Sequence, residues 1–250
     1  MKVDLSYERQ MQEARRAFAA SSVFKEFFTP LLDRKLLELF LIYFSAAKAC
    51  FVEPIADYVK RAGDRCRELG YEELGNYFLH HSDEEEGHEL WAADDTRRLV
   101  EFWNQRREPK LDAKEFLDSN RTPAVKRYHQ LHADIVNGGA PYGELAIDVE
   151  IERISVKVGP SLLFLSLFKL GPRLISQLSF VRKHVQADIF HNTVNVKVLK
   201  NFVSKNPDTL NPLVDAGKLT LDVYHGFAKE CLERTRERFG LMTASSRGKG

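Results

Sequence analysis

Two short runs of the sequence place histidine and acid at the same offsets: His81, Glu85 and His88, and His184, Asp188 and His191. On a helix turning about 100° per residue, the acid lies about 40° to one side of the first histidine and the second histidine about 20° to the other. Two imidazoles and a carboxylate then leave one narrow stripe and can converge. Neutral imidazole with carboxylate is the donor set that suits Fe(II), Mn(II) or Zn(II). The second run sits among apolar residues (Phe180, Ile189, Phe190). The alternative is a pair of packed or interface histidines hydrogen-bonded to one acid. The first run lies in the charged string from His80 to His88, which reads equally as a solvated acidic face. Rotation sorts its members: Glu85 shares the histidine stripe, Glu84 sits on its shoulder, and Asp83 and Glu86 point away. Gly87 costs a helix about 1 kcal/mol against alanine, which a close neighbouring helix or a ligand would explain.

Both runs contain a carboxylate-x-x-His step, Glu85 to His88 and Asp188 to His191. Helical bundles use that step to aim metal ligands inward, and usually draw further carboxylates from other helices. Two are candidates. Glu53 lies in the otherwise apolar Cys50–Ile55 segment, and Glu152 falls on the apolar stripe of Leu145, Val149 and Val156. A carboxylate buried in either place is costly without a partner such as a metal. Glu53 reads equally as an exposed residue at the Pro54 kink, and Glu152 as half of an internal pair with Arg153 or a distant lysine. Glu144, Asp148 and Glu150 lie off the stripe and are expected to face solvent. His129 and His132 read as surface or packing histidines, Tyr224 and His225 as pocket-lining by residue type alone, and the phenylalanine-rich stretches as core.

The elements that must position these residues are helices. Apolar periodicity predicts them over about 7–20, 22–28, 31–62 with a kink at Pro54, 72–107, 123–137, 142–158, 173–204 and 219–239, with breaks at Gly159-Pro160 and Gly171-Pro172. No strand-like alternation is bounded by hairpin turns, so the fold class is all-α: a single helical domain over 1–240, and a polar, disordered tail over 241–250.

The remaining composition narrows the function. With 250 residues, 44% hydrophobic, the chain can bury a full core. Lys plus Arg (37) balance Asp plus Glu (36), so no global field grips phosphate backbones and no nucleic-acid partner is expected. Cys50, Cys66 and Cys231 form neither a metal clip nor an even disulfide framework, which suits a reducing cytosol. No signal peptide and no membrane span are read, which points to a cytoplasmic protein. P-loop, dinucleotide-binding, nucleophile-elbow and zinc-finger spacings are missing.

The Glu-x-x-His run followed roughly 100 residues later by His-x3-Asp-x2-His resembles the haem-oxygenase-like di-iron oxidases and oxygenases, whose superfamily includes TenA-like thiaminases and the PQQ-synthesis oxidase. The string Glu84-Glu85-Glu86-Gly87-His88 looks like the Glu-Glu-x-Gly-His element of iron-containing redox enzymes, and the resemblance covers about 31–202. It implies a compact bundle of about seven core helices around a site built from Glu53, Glu85, His88, Glu152, His184, Asp188 and His191. Other members carry a carboxylate seven residues before the histidine matched by His88, where this chain has His81, leaving His81 as a ligand or as support for one. The implied cofactor is Fe(II), two ions, with Mn as the variant. The implied reaction is O2-dependent oxidation of a small amino-acid-like or fatty-acid-like substrate, and the fold is compatible with a homodimer. Two rivals stand beside it: a metal-free TenA-like or PQQ-oxidase-like enzyme, and a non-enzymatic helical partner protein with the triplets at its surface.

Overall fold

A computed structural model describes residues 4–29 and 31–247, and every regular element among them is helical. The Asp33 carboxylate accepts hydrogen bonds from the backbone N–H groups of Lys35 and Leu36, at 2.7 and 3.0 Å, and so caps the first long core helix, α3 (Arg34–Val52). Short helices α1 (Asp4–Ala19) and α2 (Ser22–Phe27) precede it. Pro54 divides the long apolar helix expected here, and the chain resumes as α4 (Ile55–Glu68). By composition 34–68 could cross a membrane, but 67% of its most apolar window is buried inside the protein. The next helix, α5 (Glu72–Glu85), folds back on α4. Gly63 and Gly75 allow that approach: a Cβ on either would stand within 2.9 Å of the other's carbonyl oxygen.

The helix expected over 72–107 is two helices. Gly87 adopts φ +83°, and α6 (His88–Asn104) starts on its far side. A Cβ at Gly87 would meet nothing nearer than Leu90 Cδ1 at 4.0 Å. The glycine is therefore required by its left-handed backbone, and not by the crowding or the ligand that the sequence suggested.

Beyond α7 (Ala113–Asp118) and α8 (Pro123–Asn137), the expected break at Gly159-Pro160 is absent: α9 runs unbroken from Glu144 to Leu170. Pro160 forgoes one backbone hydrogen bond, which packing along α11 (Ser179–Lys205) outweighs. The short α10 (Pro172–Ile175) links the two. The last helix, α12 (Leu210–Arg247), starts inside the Asn211-Pro212 turn cluster, since proline is tolerated in a first turn. It continues to Arg247, within the stretch read as a tail; 248–250 lie outside the described residues. The count of helices thus exceeds seven because Pro54 and Gly87 divide long ones and because α2, α7 and α10 are short connectors. Three pairs organise the core: α3 with α6, α4 with α5, and α9 with α11, with α12 packed across α3, α8 and α9.

Candidate metal centre

Four helices bring donors to one place. Three groups form in which one ligand atom from each residue lies within 4.8 Å of the others: His81, Glu85 and His191; Glu85, His88 and His184; and Glu152, Asp188 and His191. Glu85 belongs to two groups and so does His191. Seven of the eight residues singled out from sequence are therefore neighbours. Glu53 is not among them. It stands exposed at the α3–α4 break, where its carboxylate pairs with Arg121 at 2.8 Å. The Pro54 turn carries it outward, as the exposed-kink reading had it.

The supports of each donor favour ligation. His184 Nδ1–H donates to the Phe180 carbonyl at 2.9 Å, which leaves Nε2 as the free lone pair. His81 Nδ1 lies 3.3 Å from Glu84 Oε2, while its Nε2 is 3.9 Å from both Asp148 Oδ2 and Glu152 Oε1. Glu84, on the shoulder of the stripe, thus orients His81. His88 Nδ1 lies 3.0 Å from Glu85 Oε2 across the Gly87 break. Glu152 Oε2 accepts from Asn195 Nδ2 at 2.7 Å, and the Tyr77 hydroxyl donates to Asn195 Oδ1.

Several polar atoms in and beside the cluster lack a hydrogen bond among the described residues. Glu152 Oε1, Asp148 Oδ2 and His191 Nδ1 are buried and make no hydrogen bond, a condition that costs free energy unless something occupies the space between them. Burial pushes Asp148 and Glu152 well above the usual carboxylate range and Asp188 up to about 7, against a hydrogen bond from Ser155. It pushes the His184 imidazole down to about 4, so that ring is neutral. Burial also works to raise Glu85, but the hydrogen bond and charge of His88, with His81 and His184, outweigh it and bring Glu85 to about 2. Burial lowers His191 as it does His184, and imidazoles beside carboxyl groups that burial makes reluctant to ionise form a donor set that a divalent cation satisfies; these residues fit one.

The expectation that Glu144, Asp148 and Glu150 face solvent is wrong. All three are buried, because α9 is enclosed on every side over 144–150. Glu150 accepts from Tyr7 Oη at 3.1 Å and from Arg15 Nε and Nη2 at 2.9 and 2.5 Å. Glu144 lies 2.5 Å from His132 Nδ1, both side chains fully buried, so His132 is a packing histidine. Asp148 stands beside the donor cluster, its Oδ2 3.9 Å from His81 Nε2. Asn195 was also missed, although it continues the stripe of His184, Asp188 and His191 by one more turn. Beside the donors is a cavity of about 130 Å³, lined by His81, Glu85, His184 and Asp188, by phenylalanines of α2 and α3, and by Lys48 and Tyr224.

Two solved structures resemble the whole chain. One is a domain of unknown function with a haem oxygenase-like fold from Shewanella denitrificans OS217, at TM-score 0.71 and 17% identity, covering 94% of this chain and 92% of that one. This chain has the haem-oxygenase-like fold. The other is a TenA homolog from Pseudomonas syringae pv. tomato DC3000, at TM-score 0.67 and 13% identity, covering 91% of each chain. No protein-family model matches the sequence, and no curated protein matches it. The haem-oxygenase-like architecture thus rests on shape, and the chemistry on the donors.

Proposed function

We propose that this protein is a non-haem di-metal, O2-dependent oxidase or oxygenase acting on a small amino-acid-like or fatty-acid-like metabolite. The metal of this reading is Fe(II), two ions, with Mn(II) as the variant: the imidazole–carboxylate set suits both, and O2 chemistry needs a redox-active ion. The observation that carries this reading is the sharing of Glu85 between two three-donor groups, His81–Glu85–His191 and Glu85–His88–His184. Glu85 would therefore be a ligand in both groups, beside two histidines in each. Glu152 and Asp188 complete the set from α9 and α11.

The metals, when bound, supply the redox chemistry with O2. The chain supplies the rest. The Phe180 carbonyl and the Glu84 carboxylate hold His184 and His81 with Nε2 forward. Asn195, itself held by Tyr77, fixes Glu152. Ser155 hydrogen-bonds Asp188, and Asp148 Oδ2, 3.9 Å from His81 Nε2, can hold a proton beside the cluster. The phenylalanines of α2 and α3 exclude water from the cavity in which the substrate would lie.

The metal-free TenA-like alternative draws support from the TenA homolog's shape, and would have an organic ligand, instead of a cation, meet the orphaned oxygens and the His191 nitrogen. The helical-partner alternative requires triplets at the surface, whereas His81, Asp188 and Glu152 are buried against a cavity. The test is anaerobic Fe(II) titration followed by O2 exposure with stopped-flow absorption. Two equivalents should bind the wild type, with an absorption transient on O2, and His88→Ala and His191→Ala should each lose bound iron. No Fe(II) uptake, with both variants indistinguishable from wild type, would overturn the proposal.

A further inference from the structure

Lys48 is a charged residue in the middle of the apolar run Ala46-Ala47-Lys48-Ala49 on α3, and only 6% of it is exposed. It does not reach solvent as buried lysines usually do. Its ammonium instead lies over four aromatic rings, 4.3 Å from the centroid of Phe51, 4.6 Å from Tyr224, 5.1 Å from Phe227 and 5.8 Å from Phe44. Among the described residues it makes no hydrogen bond and no ion pair. The Cys231 thiol nearby is no counter-ion, because burial pushes it up to about 12 and keeps it neutral. Asp188 faces the same space but takes its hydrogen bond from Ser155. The lysine is part of the cavity wall that also carries His81, Glu85, His184 and Asp188.

A buried cation without an acceptor is costly, and ring faces replace only part of its lost hydration. An anion in the cavity would supply the acceptor that the chain does not, since Asp188 acts on Lys48 through charge alone. The geometry points to Lys48 as the anchor for the negative charge of the substrate, which is therefore an apolar molecule carrying one carboxylate. The rings around Nζ and the phenylalanines of α2 take its hydrocarbon part. The size of the cavity, about 130 Å³, is near the ~150 Å³ that accommodates a single aromatic ring in another protein, so the body is one ring or a short chain. This rests on the same cavity being the substrate site of the proposed oxygenase, but it needs no particular metal.

Three probes of one shape separate charge from fit: 4-ethylbenzoate, 4-ethylbenzamide and 4-ethylbenzylamine. Binding to the full chain is measured by calorimetry at neutral pH, with and without anaerobically loaded Fe(II), bound iron being determined separately. The benzoate should bind at least tenfold more tightly than the amide, and the amine should not bind. In Lys48→Met the benzoate should lose at least tenfold in affinity while the amide is unchanged. Equal binding of benzoate and amide to the wild type overturns the inference, as does benzoate binding that survives Lys48→Met or saturable binding of none of the three. Should Lys48→Met fail to fold, NMR of wild type labelled at lysine 13Cε gives the answer: the Lys48 signal should move with benzoate and not with amide, and an unmoved signal overturns the inference. Iron binding without anion preference sinks this inference alone. Anion preference without iron binding sinks the oxygenase reading alone.

Discussion

Glu150 and Glu152 stand two residues apart on α9, are both buried, and differ in everything else. Glu150 is enclosed by donors: Tyr7 and Arg15 of α1 satisfy both of its oxygens, and Arg15 is held in turn by Glu8. Glu152, on the other side of the helix, has one oxygen held by Asn195 and the other facing the cavity without a donor. The first is a complete ion network that fastens the N-terminal helix to the core. The second is an incomplete one. Burial by itself therefore says little about function, and neither does one unpaired atom, which Glu144 and His132 also have; what sets Glu152 apart is that its unpaired oxygen stands among other metal-ligating side chains beside a cavity.

The largest effect should come from the satisfied side. Glu150→Ala leaves the buried Tyr7 hydroxyl without its acceptor and Arg15 with Glu8 alone, and should cost about 3–5 kcal/mol in urea unfolding at pH 7, with iron uptake by the folded protein unchanged. A loss below about 1 kcal/mol would mean that the network is ornamental. Next, and of opposite sign, is Lys48→Met. Burial brings the Lys48 ammonium down to about 7, while the unfolded chain keeps its proton to about 10.4. Between those values the unfolded state binds more protons, so this residue makes stability rise with pH across that window and weakens the fold below it. The methionine variant should be more stable than wild type by on the order of 3 kcal/mol at pH 7, and the gap should close by about pH 10. A gap that stays constant with pH would show that the ammonium is not desolvated. The smallest effect on stability belongs to Glu152→Gln. The metal-free variant should unfold within about 1 kcal/mol of wild type, yet bind Fe(II) roughly tenfold or more weakly. Unaltered iron affinity would remove Glu152 from the site.

His184, Asp188 and His191 were legible because they lie on one uninterrupted helix, where spacing fixes direction. His81, Glu85 and His88 were legible as residue types but not as geometry: the left-handed backbone at Gly87 resets the helical phase between Glu85 and His88. A lone charge in an apolar stretch was a signal with two outcomes. At Glu53 it lies beside a helix-ending proline and turns out to Arg121; at Lys48 it lies mid-helix with no route to water, and the sequence reading passed over it. The three α9 acids do not sort by stripe, because the helix has no exposed face over 144–150. The fold class was easier to read, since helical periodicity is local and survives errors at individual breaks.

The Gly87 joint has a mechanical consequence. Glu85 ends a helix that travels with α4, and His88 begins one that travels with α3. A cation held by both would tie the α4–α5 pair to the α3–α6 pair across the Gly87 turn, in addition to the Pro54 turn that already joins α3 to α4.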